Sequence, residues 1–262
     1  MSILESFRMD GSVAIVTGSS RGIGRGIALA FAEAGANVVL VSRTQDDLDR
    51  VAGEVEALGS KATTVALDAT DLAALAALPQ HALDTFGSVD VVVNNAGGTM
   101  PRPMLNTSSG FLERAFHFNV TTAFELTKAA TPALLETRGC VLNISSAMGR
   151  LTDRGMIAYG TAKGALAHMT RLTANELAPK IRVNAIAVGA VATDALATVT
   201  EDEGLRTQME SLTPLRRIGS VDDIAAAALW LCSPAGNYVT GKVVEVDGGI
   251  ESPNLPLGLP DL

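Results

Sequence analysis

The stretch Val13-Ala-Ile-Val-Thr17-Gly-Ser-Ser-Arg-Gly-Ile-Gly24 decides the architecture. A β-branched run reads as a buried strand, a glycine-rich turn follows at once, and an Ala-rich helical pattern begins inside that turn. Glycines at 18, 22 and 24 let the backbone bend sharply and come close to a pyrophosphate. The N-terminus of the following helix supplies free N–H groups and a partial positive charge for such an anion. The spacing differs from G-x-G-x-x-G, with three residues between Gly18 and Gly22 and one between Gly22 and Gly24. A glycine turn of this kind can be purely structural. Its position at the head of a strand–turn–helix series favours nucleotide binding.

Working outward, short apolar runs at 13–17, 37–42, 62–67, 89–94, 140–145, 181–187 and 243–246 read as strands. Helical patterns at 22–35, 46–58, 111–136, 158–178 and 222–231 lie between them. That alternation predicts α/β units in one parallel, doubly wound sheet of about seven strands, with helices on both faces. No linker, charge run or repeat marks a second domain, so residues 1–262 are expected to form one unit. Residues 190–217 are more polar than the helical stretches around them. They follow a strand and are expected to cover the substrate, an ordinary pair of surface helices being the alternative. The tail 252–262 carries three prolines and is expected to reach a neighbouring subunit rather than form a helix.

Composition sets limits on function. Hydrophobic residues make up 47% and aromatics only 4%, so the core must be Ala, Val, Leu and Ile, as suits a parallel sheet under Ala-rich helices. The net charge of −8 argues against a nucleic-acid partner, which would meet a basic face. Cys140 and Cys232 lie far apart in apolar sequence and read as small core residues, with no disulfide and no metal site. The start lacks a basic flank with an apolar run behind it, and no uncharged apolar stretch approaches the ~20 residues of a membrane span. A soluble, reducing, cytoplasmic setting is expected.

The end of the second strand bears on nucleotide choice. An acid there would accept a hydrogen bond from a free ribose 2′-hydroxyl, whereas basic residues receive a 2′-phosphate. Ser42-Arg43-Thr44 occupies this place and Arg21 sits in the glycine turn, which points to NADP(H) over NAD(H). Asp68-Ala69 and Asn94-Asn95-Ala96-Gly97 end the third and fourth strands, where a nucleotide would cross. Asp68 reads equally as a helix cap, and the Asn–Gly stretch as a turn.

Tyr159 and Lys163 stand four apart at the start of a helix and share a face, so the ammonium lies beside the phenol. A neighbouring positive charge lowers a phenol's pKa toward working pH, as acid–base work requires. Such a pair is also ordinary packing with a solvated charge. Ser146 ends the strand before it, where a hydroxyl could hold a carbonyl oxygen. Asn119 falls within the helical pattern 111–136, where Asn is unfavourable; it either relaxes the helix to place a water near Lys163 or bonds the backbone.

With these residues in order, the chain resembles the short-chain dehydrogenase/reductase family over nearly its whole length. The carriers are Thr17-Gly18…Gly22-Ile23-Gly24, Asp68, Asn94-Asn95-Ala96-Gly97, Asn119, Ser146, Tyr159…Lys163 and Val246-Asp247-Gly248-Gly249. The resemblance implies a Rossmann-like fold, a secondary alcohol and ketone as substrate and product, and a homotetramer. It makes Tyr159 the proton donor and acceptor, has Ser146 orient the carbonyl, Lys163 hold the nicotinamide ribose and Asn119 complete a water relay. Cofactor contacts are expected from Gly18, Ser20, Arg21, Gly22, Ile23, Gly24, Ser42, Arg43, Asp68, Ala69, Asn95, Gly97, Tyr159, Lys163, Val191 and Thr193. One departure stands out: Ala187-Val188-Gly189 replaces the family's Pro-Gly after the sixth strand, and a slightly looser loop is expected. Asn95-Ala-Gly-Gly-Thr-Met-Pro, Thr193-Asp-Ala-Leu and Thr213-Pro-Leu-Arg-Arg-Ile-Gly resemble the 7α-hydroxysteroid dehydrogenase branch. Met100, Met104, Leu151 and Met156 suit a hydrophobic ketone or are core. Three alternatives stand beside this reading: a 3-oxoacyl-carrier-protein reductase, an NADP(H)-sensing binding protein, and an epimerase or dehydratase. A carrier protein would need a basic patch, for which Arg102, Arg150, Arg154 and Arg206 are candidates among intervening acids.

Overall fold

The computed structural model describes residues 2–254. Its sheet strands are β1 Val13–Thr17, β2 Asn37–Ser42, β3 Ala62–Ala66, β4 Val91–Asn94, β5 Cys140–Ser146, β6 Arg182–Val188 and β7 Val243–Val246. All pair in parallel, in the order β3-β2-β1-β4-β5-β6-β7. The order reverses between β1 and β4, and the crevice beyond their carboxyl ends is where a sheet of this kind takes a ligand.

Nine helices connect the strands among the described residues: α1 Gly22–Glu33, α2 Gln45–Ala57, α3 Leu72–Phe86, α4 Ser109–Phe116, α5 Thr122–Thr137, α6 Ile157–Leu177, α7 Ala197–Glu201, α8 Glu203–Leu212 and α9 Val221–Cys232. Alternation along each strand divides the apolar side chains between two cores. Ala14, Val16, Leu40, Val93, Leu142 and Ile186 meet α1, α2 and α9 on one face. On the other, Val13, Ile15, Val39, Val92, Val141 and Val183 meet α3, α5 and α6. Central strands buried on both faces are why the sequence shows continuous apolar runs rather than alternation. Leu142 is wholly buried, and truncating such a residue to Ala costs about 2–5 kcal/mol. Cys140 and Cys232 are free buried thiols within the first core.

The helical pattern 111–136 is not one helix. It divides into α4, a π-helical turn at His117–Thr121, and α5. Asn119 causes the break, since its side-chain amide donates to the Ala115 carbonyl at 2.8 Å and competes with the backbone ladder. Residues 190–217 contain a 3₁₀ turn at Asp194–Leu196 followed by the short helices α7 and α8. Of the tail, residues 255–262 lie outside the described residues.

Candidate active site

Strand β5 ends in Ser145 and Ser146, and α6 runs back across that end with Tyr159 in its first turn and Lys163 one turn later. Small residues make the approach close. A Cβ on Gly149 would stand 3.0 Å from the Lys163 carbonyl carbon, and one on Gly160 would stand 2.9 Å from the Met148 carbonyl oxygen. The 3₁₀ turn Ala147–Gly149 therefore seats directly on the helix backbone, and Ser146 hydrogen-bonds Tyr159.

Burial pushes the Tyr159 phenol above its ordinary pKa, and the hydrogen bond from Ser146 opposes that rise. This differs from the lowering expected from Lys163 alone. The ammonium stands 5.8 Å from the Tyr159 ring centre and donates to the Ile144 carbonyl at 2.8 Å, so it is engaged with the strand. Burial lowers Lys163 from 10.5 to about 8. Asn119 is buried close by. Its carbonyl oxygen accepts from Gly98 N–H at 2.9 Å, and its amide also donates to the Gly98 carbonyl at 3.2 Å. Of the two readings for Asn119, the backbone-bonding one is what its contacts display. A Cβ on Gly97 would meet Asn119 Oδ1 at 2.8 Å and Lys163 Nζ at 3.1 Å, so Gly97 borders both.

The glycine turn has the features of a phosphate cradle. Gly18 and Gly22 adopt φ of 66° and 53°, and a Cβ on Gly24 would fall 2.2 Å from the Gly18 carbonyl oxygen. Asn95 pins this turn, its amide donating to the Thr17 and Gly18 carbonyls at 2.9 and 3.1 Å. Asn94 turns away instead and donates to Asn143 and Thr127 in a buried network. Neither Asn uses a left-handed backbone. Asp68 is not a helix cap: Asp71 caps α3, while Asp68 accepts from Thr70 N–H and hydroxyl, both at 2.8 Å. Ser42 Oγ is buried without a hydrogen-bond partner among the described residues, while Arg43 beside it is exposed. Arg21 reaches Asp194 at 3.4 Å, both side chains about 70% exposed. Thr193 lies over Gly22, whose Cβ would meet its methyl at 3.5 Å. Val191 is buried and bridges Gly219. These features fit a dinucleotide laid across the turn.

The departure at Val188-Gly189 leaves the loop pinned. Gly189 N–H donates to the Val246 carbonyl, and a Cβ there would stand 2.5 Å from Asp247 Cα. A cavity of about 600 Å³ lies next to this turn, lined by Ala190, Val191, Leu215, Gly219 and Gly248; it includes neither Ser146 nor Tyr159.

Sequence reasoning missed several contributors. Ser19 is buried and accepts from Val41 N–H at 2.8 Å, tying the glycine turn to β2. Ser145 bonds the helix carrying Lys163. Arg150 joins Glu245, Asp247 and Glu251 at 2.9, 2.9 and 3.3 Å. Ser19 lies in the glycine turn and Ser145 beside Ser146 at a strand end; in the sequence Arg150 reads only as a candidate for a basic patch, with no sign of its carboxylate partners. Among the described residues no cluster of potential metal ligands occurs and no helix is long and apolar enough to cross a membrane.

Known proteins resemble this chain over nearly its whole length. The family model described as Enoyl-(Acyl carrier protein) reductase matches residues 18–251. An uncharacterized oxidoreductase of Mycobacterium tuberculosis is 55% identical, the match covering 99% of this chain and 100% of that one. The 7α-hydroxysteroid dehydrogenase of Escherichia coli is 40% identical, over 94% of this chain and 96% of that one. A solved 7α-hydroxysteroid dehydrogenase, in complex with NADH and 7-oxo glycochenodeoxycholic acid, superimposes with a TM-score of 0.91 at 39% identity, over 95% of this chain and 98% of that one. The chain is an oxidoreductase of the short-chain dehydrogenase/reductase family.

Proposed function

We propose that this oxidoreductase is NADP(H)-dependent and interconverts a secondary alcohol and a ketone of hydrophobic, hydroxysteroid-like character. The observation that carries the reading is the meeting of Ser146, Tyr159, Lys163 and Asn119 at the end of β5. In the reducing direction Ser146 donates to the substrate oxygen, and Tyr159 gives that oxygen its proton as the carbon is reduced. The nicotinamide nucleotide supplies the hydride. Lys163, protonated below its pKa of about 8, holds positive charge near the phenolate that results, which makes the proton's departure easier. Run backward, the same groups take a proton from the alcohol.

Three features support the finer points. No acid stands at Ser42, and Arg43 and Arg21 offer guanidinium groups to a 2′-phosphate. Met100, Met104 and Leu105, on the loop after β4, present exposed apolar surface suited to a hydrophobic substrate. Arg150 is already matched by three carboxylates, which removes one of the cations a carrier-protein reductase would present to its acidic partner. Residues 190–217 act as the substrate cover in this reading. Phe116, Phe124 and Leu172, exposed on α4, α5 and α6, would be buried in a two-fold symmetric homotetramer, and the setting is cytoplasmic. Turnover of NADPH and NADH against a panel of steroid and short ketones tests the proposal. No turnover with any ketone or alcohol, or higher kcat/KM with NADH, would overturn it. Sedimentation at micromolar concentration tests the tetramer, which a purely monomeric result refutes.

A further inference from the structure

Four consecutive residues of β5 grip α6. Asn143 donates to Thr170 Oγ1 at 2.9 Å, the Ile144 carbonyl accepts the Lys163 ammonium at 2.8 Å, Ser145 donates to the Lys163 carbonyl at 3.0 Å, and Ser146 bonds Tyr159. Lys163 is thereby held at both ends, its side chain by one strand residue and its peptide by the next. Ser145 is buried to 3% exposure and Lys163 to 4%, so no water competes for these bonds. On its other side the same carbonyl is hemmed in by Gly149, whose Cβ would lie 3.1 Å from it.

We propose that Ser145 is a positioning residue for proton transfer: its hydroxyl fixes the α6 turn that carries Lys163, and so fixes the ammonium relative to the Tyr159 phenol. This rests on the reading of Tyr159 as the proton-transferring group. The Lys163 carbonyl already sits within a helix, so the Ser145 bond is an additional one that sets the helix against the strand. Without it one of the four ties between β5 and α6 is gone, and this turn can shift slightly against the strand. A sub-ångström slide changes a buried charge–phenol interaction far more than it changes overall packing, because the local dielectric is low. The groups that bear on the phenol are few. Beside it stand the Lys163 ammonium, 5.8 Å from the ring centre, and the neutral Ser146 hydroxyl.

The chain has two tyrosines, and Tyr238 is fully exposed. In a Tyr238→Phe background the ultraviolet absorbance of tyrosinate therefore reports Tyr159 alone, in the protein without substrate or nucleotide. Ser145→Ala is expected to raise that titration midpoint by about half to one pH unit, the size of one ordinary hydrogen bond. In turnover it is expected to lower kcat about tenfold and to shift the rising limb of alcohol oxidation to higher pH, with the substrate KM little changed. Ser145→Thr, which keeps the donor, restores both. Ser60→Ala is the control, since Ser60 is also a buried serine, donating to the Ala32 carbonyl far from the site; it lowers Tm and leaves the phenol titration where it was. If Ser145→Ala does not fold, Ser145→Cys, a weaker donor of similar size, is judged by the same criteria. A midpoint that stays put in the alanine or cysteine variant, whatever happens to Tm or kcat, overturns the proposal. A chain that turns over no alcohol or ketone removes the underlying reading instead, and the phenol titration tells the two failures apart.

Discussion

The ends of β5 and β2 lie on the same rim of one sheet, yet they are finished differently. At β5, Asn143, Ser145, Ser146 and Lys163 all have partners inside the chain. At β2, Ser42 Oγ is buried without a partner among the described residues, and Arg43 and Thr44 are exposed. The first end is rigidly preorganised, as catalysis by positioned groups requires. The second, in the proposed reading, is furnished with donors whose acceptor would come from the nucleotide. A substitution at β5 should therefore damage chemistry, and one at β2 should change the choice of nucleotide.

The sharpest break of that contrast is Tyr159→Phe. It should leave nucleotide binding nearly intact and cut kcat by at least ~100-fold, the scale of acid–base assistance; steady-state kinetics beside a nucleotide titration checks both halves. Next comes Arg43→Ala. One charged hydrogen bond to a 2′-phosphate contributes about 1.5–3 kcal/mol, so NADPH should weaken about 10- to 150-fold while NADH barely changes. Adding Ser42→Asp should reverse the preference, by accepting from a free ribose hydroxyl and repelling the phosphate. Equal weakening of both nucleotides by Arg43→Ala would reduce that residue to a surface charge.

A smaller effect tests how tightly β5 is sealed. Burial lowers Lys163 from 10.5 to about 8. Between those values the unfolded chain keeps a proton that the folded chain has shed, so this group's contribution to stability grows as pH rises through the window. It is lost as pH falls through the lower value. Tyr159 is shifted upward, so its opposing effect begins above its ordinary value of about 10. From about pH 8 to about pH 10, denaturation of wild type against Lys163→Met should show the wild type gaining roughly 2–3 kcal/mol relative to the variant. Parallel curves would mean that Lys163 is solvated. The smallest effect belongs to the open end: Asp194→Asn, which breaks the exposed pair with Arg21, should change the unfolding free energy by less than about 0.5 kcal/mol.

Much of this was legible in the residues because strand ends carry type-specific signals. The apolar runs identified every strand of the sheet to within two residues, and Tyr159, Lys163 and Ser146 announced themselves by spacing and by position at a strand tip. What stayed hidden depends on groups that every residue possesses. The Ile144 carbonyl holds Lys163, yet a backbone oxygen leaves no trace in a side-chain pattern. At the π-turn 117–121 the sequence marked Asn119 as the weak point of the helix, and the amide's reach to the Ala115 carbonyl shows how the helix gives way there. Helix α3 carries Pro79 in its interior, where proline ordinarily ends a helix, so its helical signal is weakened. Arg150's carboxylate partners lie about a hundred positions later, beyond the range of any local pattern.

That last separation carries a consequence for biosynthesis. Arg150 belongs to the turn directly behind Ser146, and it is secured by Asp247 and Glu251, 97 and 101 residues downstream, together with the Ile250 carbonyl. A nascent chain emerges from the ribosome N-terminus first, so the glycine turn, Ser146 and Tyr159 are all synthesised long before the residues that fasten this turn. Strand β7, added last at the sheet's margin, brings those residues into place. The turn behind Ser146 thus stays unfastened until translation is almost complete, and a ribosome-stalled chain ending before residue 243 would hold Ser146 and Tyr159 without these contacts.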